Sequence, residues 1–204
     1  MRRYNQNEID ELAQILKNDG VISIPTDTVY GVCARINSQK AFDNLVNAKH
    51  RPANKSFPVL CLNEEQIKSV AVVNSNAEKL IRAFMPGAIT IVLKKKVEAF
   101  DYINNAGTRI SDELAVRILP LEFIKELIQK VGSPLFLSSA NLSGQEVCKT
   151  LDEIETVFPN IDGIVEGEVS FGQASTIVDC TSNEIVIQRE GPISKEKIME
   201  VLKK

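Results

Sequence analysis

Apolar and polar positions along this chain switch repeatedly between a period near 3.6 and short unbroken runs. Ile9, Leu12, Ala13 and Leu16 recur at helical spacing, with Gly20 where a C-terminal cap belongs, which predicts a first helix over Asn7 to Asn18. Val21 to Ile24 then reads as a buried strand that Pro25 stops. Ser38 is placed to cap a helix carrying Ala41, Phe42, Leu45 and Val46, and Pro52 disfavours helical geometry at Arg51. Further strands are predicted at Phe57 to Leu62, Ala88 to Leu93, Leu114 to Ile118 and Leu135 to Leu137, with Lys94-Lys95-Lys96 marking emergence into solvent. Helices are predicted at Glu64 to Val70, Asn76 to Phe84 and Leu121 to Val131. The segment Val97 to Asp112 has the least ordered pattern. Beyond it come a helix near Leu151 to Phe158, strands at Gly163 to Val165, Ser175 to Val178 and Ile185 to Gln188, and a last helix from Ser194 to Leu202. This alternation, without repeat or linker, predicts one α/β (α+β-like) domain over 7–204: a twisted, mixed parallel and antiparallel sheet flanked by helices.

Composition narrows the function classes. At 204 residues, 44% of them hydrophobic, the chain can bury one sizeable core, and a net charge of -3 supplies no global attraction to nucleic acid. Cys33, Cys61, Cys148 and Cys180 are scattered, and His50 is the sole histidine, so neither a zinc site nor a disulfide framework is expected. Free thiols, no secretory h-region and no stretch long enough for a bilayer predict a cytoplasmic protein with no membrane partner.

Two polar loops follow apolar runs, where α/β sheets hold ligands. The first holds Thr26, Asp27, Thr28 and Tyr30; the second is Ser138-Ser139-Ala140-Asn141-Leu142-Ser143-Gly144. Each also reads as ordinary turn chemistry, since Asp, Ser, Thr and Asn side chains bond nearby backbone. Lys49, Arg51 and Lys55 place three cations within seven residues, a clamp for a triphosphate or a solvated basic surface. No Walker or dinucleotide fingerprint occurs. Arg117, between Val116 and Ile118, is an expensive charge to leave unpaired and calls for a carboxylate or phosphate partner.

Six ordered motifs carry a resemblance. Pro25-Thr26-Asp27-Thr28-Val29-Tyr30-Gly31, Lys49-His50-Arg51-Pro52, Ala115-Val116-Arg117-Ile118, Ser139-Ala140-Asn141-Leu142-Ser143-Gly144, Ser175-Thr176-Ile177-Val178-Asp179 and Gln188-Arg189-Glu190-Gly191 resemble those of the YrdC family of threonylcarbamoyl-AMP synthases, over about Leu12 to Pro192. The resemblance implies a YrdC-like fold and a nucleotidyltransferase. It would join L-threonine, bicarbonate or CO2 and ATP into threonylcarbamoyl-AMP and pyrophosphate, for modification of adenosine 37 of tRNA. Mg2+ is expected on the ATP phosphates, with no metal ligand from the protein, and downstream threonylcarbamoyl-transferase proteins are the expected partners.

By the same resemblance, Lys49, Arg51 and Lys55 are the catalytic, phosphate-contacting cations. Thr28, Arg117, Ser139, Ser175 and Thr176 would bind threonine. Ser139 and Asn141, with Arg189, would lie against the nucleotide, and Asp27, Tyr30 and Ser143 would support the site. Leu60 stands where many members have a histidine near threonine, and Glu113 where many have a Thr or Ser beside the nucleotide. The chain ends soon after Arg189-Glu190-Gly191-Pro192, so the resemblance implies the short form, without an additional C-terminal domain. Two other classes compete. One is a non-catalytic RNA-binding module using a basic cleft, with weak direct tRNA or rRNA contact, against which stand only 5% aromatic residues. The other is a carbamoyl-phosphate-type protein, disfavoured by the single histidine.

Overall fold

The computed structural model describes residues 1–51, 57–100, 112–169 and 173–203. Among these, eleven strands form one mixed sheet. Its order is β1 (Arg3–Tyr4), β9 (Gly163–Val165), β2 (Ile22–Ile24), β3 (Gly31–Arg35), β8 (Leu135–Ser139), β4 (Val59–Leu60), β7 (Glu113–Arg117), β6 (Ile89–Lys95), β10 (Thr176–Asp179) and β11 (Val186–Arg189), with β5 (Ala71–Val72) paired to β6. Pairs β1–β9, β2–β9, β4–β7 and β6–β10 are parallel; β2–β3, β3–β8, β4–β8, β6–β7 and β10–β11 are antiparallel. The mixed sheet anticipated from the pattern is the one observed.

The two faces of the sheet bury separate cores. Helices α1 (Ile9–Lys17) and α5 (Glu122–Val131) pack Leu12, Leu16, Leu127 and Ile128 onto Ile22, Ile24, Cys33, Leu60, Leu135 and Leu137. On the other face, α2 (Gln39–Lys49), α3 (Glu64–Val70), α4 (Ser75–Phe84), α6 (Leu151–Val157) and α7 (Lys195–Leu202) cover Val32, Ala34, Val59, Ile91, Val116 and Phe136. Phe42 from α2 meets Phe57 and Phe136 edge-on, at 5.9 and 5.5 Å between centroids. Ser38 caps α2 as expected, its Oγ accepting from the Ala41 amide at 3.3 Å.

Several local expectations are corrected. Gly20 is not the left-handed residue after α1: Asp19 takes φ 68°, and Gly20 is small because an added Cβ would lie 2.5 Å from the Ile15 side chain. Gly31 does not merely close the first loop but begins β3, a strand the pattern did not reveal, so the loop is the turn of a β2–β3 hairpin with Ile24 opposite Gly31. Strand β1 was likewise unforeseen, and the strand expected over Phe57 to Leu62 is regular only at Val59–Leu60. β6 runs on through Lys95, whose ammonium lies 5.9 Å from the centre of the Phe100 ring, while Lys94 and Lys96 are exposed. Val97–Phe100 forms one 3-10 turn; the rest of the segment read as least ordered, 101–111, lies outside the described residues, as does Lys55.

Candidate active site

The β3–β8 pairing brings the two polar loops together. Because these strands run antiparallel, the start of β3 meets the end of β8: Gly31 lies opposite Ser139, and the Ala140 amide donates to the Tyr30 carbonyl at 2.7 Å. This approach is what Gly31 permits, since a Cβ there would sit 2.6 Å from Leu137 Cδ1 and 3.1 Å from the Ser138 carbonyl oxygen. Beside the paired loops, on the face shared with α1 and α5, opens a cavity of about 270 Å³. Thr26, Thr28, Tyr30, Arg51, Leu60, Thr90, Ala115, Arg117, Ser138, Ser139, Ser175 and Arg189 are among its lining residues. A larger groove, about 640 Å³, lies between the end of α2 and the segment after α6 and is lined by Asn44, Asn47, His50 and Asp162. It gathers no arginine or lysine, so the smaller cavity is the one with the chemistry of an anionic ligand site.

The first loop is organised by Thr26. Its hydroxyl donates to the Val29 carbonyl at 2.5 Å and accepts from the Thr28 and Val29 amides, each at 3.2 Å, a local turn that presents Thr28. Arg117, at the end of β7, is 5% exposed and reaches three partners: Gly87 O from Nε at 3.1 Å, Thr28 Oγ1 from Nη1 at 3.2 Å, and Asp27 Oδ1 from Nη2 at 2.5 Å. The carboxylate partner that a buried arginine demands is therefore Asp27. Burial pushes the Asp27 carboxyl up against the opposing pull of Arg117, and its Oδ2 is buried without a hydrogen-bond partner among the described residues. Burial likewise lowers Arg117, with Asp27 opposing, and Arg189 adds a smaller repulsion.

The other expected residues separate into those that reach the cavity and those that support it. Thr28, Arg51, Arg117, Ser139, Ser175, Arg189 and Tyr30 line it. Tyr30 also donates from its hydroxyl to the Gly167 carbonyl. Arg51 stacks 4.5 Å over the Phe57 ring and reaches Ser138 Oγ at 3.5 Å. Arg189 holds Ser175, donating to its carbonyl at 3.0 Å.

Lys49 is not in the cavity. It is 1% exposed, and its ammonium donates to the Ser139 and Asn141 carbonyls from beneath the second loop. Burial, then the neighbouring Arg51, lower it to about 7. Asn141 and Ser143 likewise belong to the loop rather than the lining, and Asp27 lies behind Arg117. Thr176 faces the other side of β10, where its hydroxyl donates to Ile193 O at 2.7 Å and accepts from the Gly191 and Ile193 amides. Thr90 is the residue sequence reasoning missed. It lies on β6 between Ile89 and Ile91, which face the opposite core, and its hydroxyl is 2.8 Å from Ser175 Oγ. The period of two within that apolar run was the available signal. Leu60 lines the cavity as an apolar wall, and Glu113, at the exposed start of β7, is not among the lining residues.

A family model named Sua5/YciO/YrdC, described as "Telomere recombination", matches residues 14–191. The chain belongs to the Sua5/YciO/YrdC family. Among curated members of that family, a protein of Methanocaldococcus jannaschii called "Putative threonylcarbamoyl-AMP synthase" is 34% identical over 205 residues, which cover 95% of this chain and 92% of the relative. Of solved Sua5/YciO/YrdC structures, P. abyssi Sua5 complexed with L-threonine superposes with a TM-score of 0.88 at 28% identity. It covers 98% of this chain, which spans 60% of that longer one. E. coli YciO matches with a TM-score of 0.83 at 22% identity, covering 97% of this chain and 98% of that one, a likeness of fold.

Proposed function

We propose that this chain is an L-threonylcarbamoyladenylate synthase, forming threonylcarbamoyl-AMP and pyrophosphate from L-threonine, bicarbonate or CO2 and ATP. The observation that carries the reading is the convergence of Thr28, Arg117, Ser139, Ser175 and Arg189 on one cavity in a fold shared with a threonine-bound relative. Arg117 and Thr28 form a deep corner suited to an amino-acid carboxylate. Arg51 and Arg189 lie at less buried positions suited to phosphate, and the resemblance gives Lys55 the same role.

Neither step requires a protein nucleophile. The threonine amine attacks bicarbonate to give the N-carboxy amino acid, whose carboxylate attacks the α-phosphorus and expels pyrophosphate. Catalysis then consists of alignment and charge neutralisation by fixed donors. Mg2+ would enter as part of the substrate, on the ATP phosphates, which is how this ion commonly binds.

The product would pass to proteins that transfer its threonylcarbamoyl group to adenosine 37 of tRNA, in the cytoplasm. All four cysteines are buried free thiols, and among the described residues no helix is long and apolar enough to cross a membrane. A binding module that grips RNA through the cleft has less support: Lys49 and Arg117 are buried, so they do not share one outer surface with Arg51 and Arg189. The test is pyrophosphate release with threonine, bicarbonate and MgATP, each omitted in turn. Dependence on all three is expected; release without threonine would overturn the reading.

A further inference from the structure

The floor of the cavity is a row of side chains across three neighbouring strands. Leu60 of β4 is paired with Arg117 of β7, and the antiparallel register that sets Ile91 of β6 opposite Val116 brings Thr90 beside Arg117 on its other flank. All three are buried and all three line the cavity. Neighbouring strands lie about 4.8 Å apart, so the backbones at Leu60 and Thr90 stand about 10 Å apart with the arginine between them. Neither Leu60 nor Thr90 lies in the six sequence motifs.

The two flanks differ in chemistry. On one, Leu60 continues into Ala115 and Leu137, an aliphatic wall. On the other, the Thr90 hydroxyl lies 2.8 Å from Ser175 Oγ. One hydrogen serves that contact, so the pair keeps a second hydrogen and spare lone pairs, and it can donate to a ligand hydroxyl while accepting from it. The branched Cβ of Thr90 restricts its χ1, which fixes where that hydroxyl points. Arg117 is itself held by Gly87, Thr28 and Asp27, so the anchor between the flanks is fixed as well.

We propose that Leu60 and Thr90 read the two substituents on the β-carbon of the amino-acid substrate, Leu60 taking the methyl and Thr90 the hydroxyl, so that the cavity selects the configuration of that carbon. The inference rests on the threonine reading above and adds what decides between threonine and its analogues. L-Serine leaves the Leu60 wall uncovered. L-2-Aminobutyrate leaves the hydroxyl pair without a partner. L-allo-Threonine has the same two substituents exchanged, so it sets a hydroxyl against the aliphatic wall and a methyl against Thr90, and loses on both flanks.

The test is calorimetric binding of these four amino acids to the full chain as wild type, Leu60→Ala, Leu60→Val and Thr90→Val. Wild type is expected to bind L-threonine roughly tenfold or more tighter than L-serine, the usual worth of one methyl in an apolar pocket, and L-allo-threonine more weakly than L-serine. Leu60→Ala is expected to bring the threonine-to-serine ratio towards one and to leave the threonine-to-aminobutyrate ratio within about twofold. Leu60→Val, the smaller truncation, should fall between wild type and Leu60→Ala. Thr90→Val should do the reverse, lowering the threonine-to-aminobutyrate ratio about tenfold, the loss of one good hydrogen bond, while the threonine-to-serine ratio holds. Each readout is a ratio within one variant, so general loosening of the fold does not imitate the crossed pattern. Equal binding of L-threonine and L-allo-threonine by wild type, or variants that shift both ratios alike or neither, would overturn the proposal while leaving the enzyme reading standing. A wild type that binds none of the four would overturn that reading together with it.

Discussion

Arg117 and Lys49 show how one rule, that a buried charge needs partners, divides two cations into different jobs. For Arg117 the rule made a partner legible from Val116-Arg117-Ile118 alone, and Asp27 supplies it. Replacing Arg117 with Met leaves the Asp27 carboxylate buried and unpaired. The variant is expected to lose about 3–5 kcal/mol in urea unfolding, so loss of activity in it reports stability as well as binding. Arg189→Gln isolates the ligand role better, because Arg189 is exposed. Its MgATP KM is expected to rise several-fold with the thermal midpoint unchanged.

Lys49 makes a pH prediction. Its folded value, about 7, lies below the ordinary 10.5, so between these pH values the unfolded chain binds more protons and stability rises with pH. The thermal midpoint of wild type relative to Lys49→Met should therefore increase from pH 7 to pH 8.5. That window ends before the buried thiols act: Cys61 and Cys180, both pushed up to about 12, add an opposite trend above their ordinary value of 9. A difference that stays constant between pH 7 and 8.5 would show Lys49 titrating normally.

At the level of elements, helices were read well because each presents one periodic face: α1, α2 and α5 lie within a few residues of their expected limits. β3 escaped because Gly31-Val32-Cys33-Ala34-Arg35 is a central strand buried on both faces, with no alternation, next to a polar loop that masked its start. That strand sets the site. Gly31→Ala is expected to destabilise the fold by about 1–3 kcal/mol through contact with Leu137 and the Ser138 carbonyl, and trimming Leu137 to Ala in the same chain should recover part of the loss in chemical denaturation.

Strand parity also separates two neighbours that sequence alone left together. Ser175 faces the cavity and Thr176 the opposite core. Ser175→Ala should raise the threonine KM with little change in melting temperature, whereas Thr176→Val, which strands two backbone amides, should cost about 1–3 kcal/mol of stability and leave the threonine KM near wild type.

Across the whole molecule, one sheet face is divided between α1 with α5 and the cavity, and Leu60 and Leu137 border both. Which residues gather there was legible as a set of motifs but not as a geometry. Lys49, Asn141 and Thr176 belong to the same motifs as Arg51, Ser139 and Ser175, yet they shape or support the site from outside the cavity, and spacing does not record which way a side chain turns. On the proposed function, the cavity joins an amino acid, a one-carbon unit and a nucleotide. The most direct test incubates the purified chain with L-threonine, isotopically labelled bicarbonate and MgATP and identifies the nucleotide product by mass spectrometry. Threonylcarbamoyl-AMP carrying one labelled carbon, formed in equal amount to pyrophosphate, is the expected product. Formation of pyrophosphate with no labelled adduct, or an adduct formed without threonine, would contradict the proposed function.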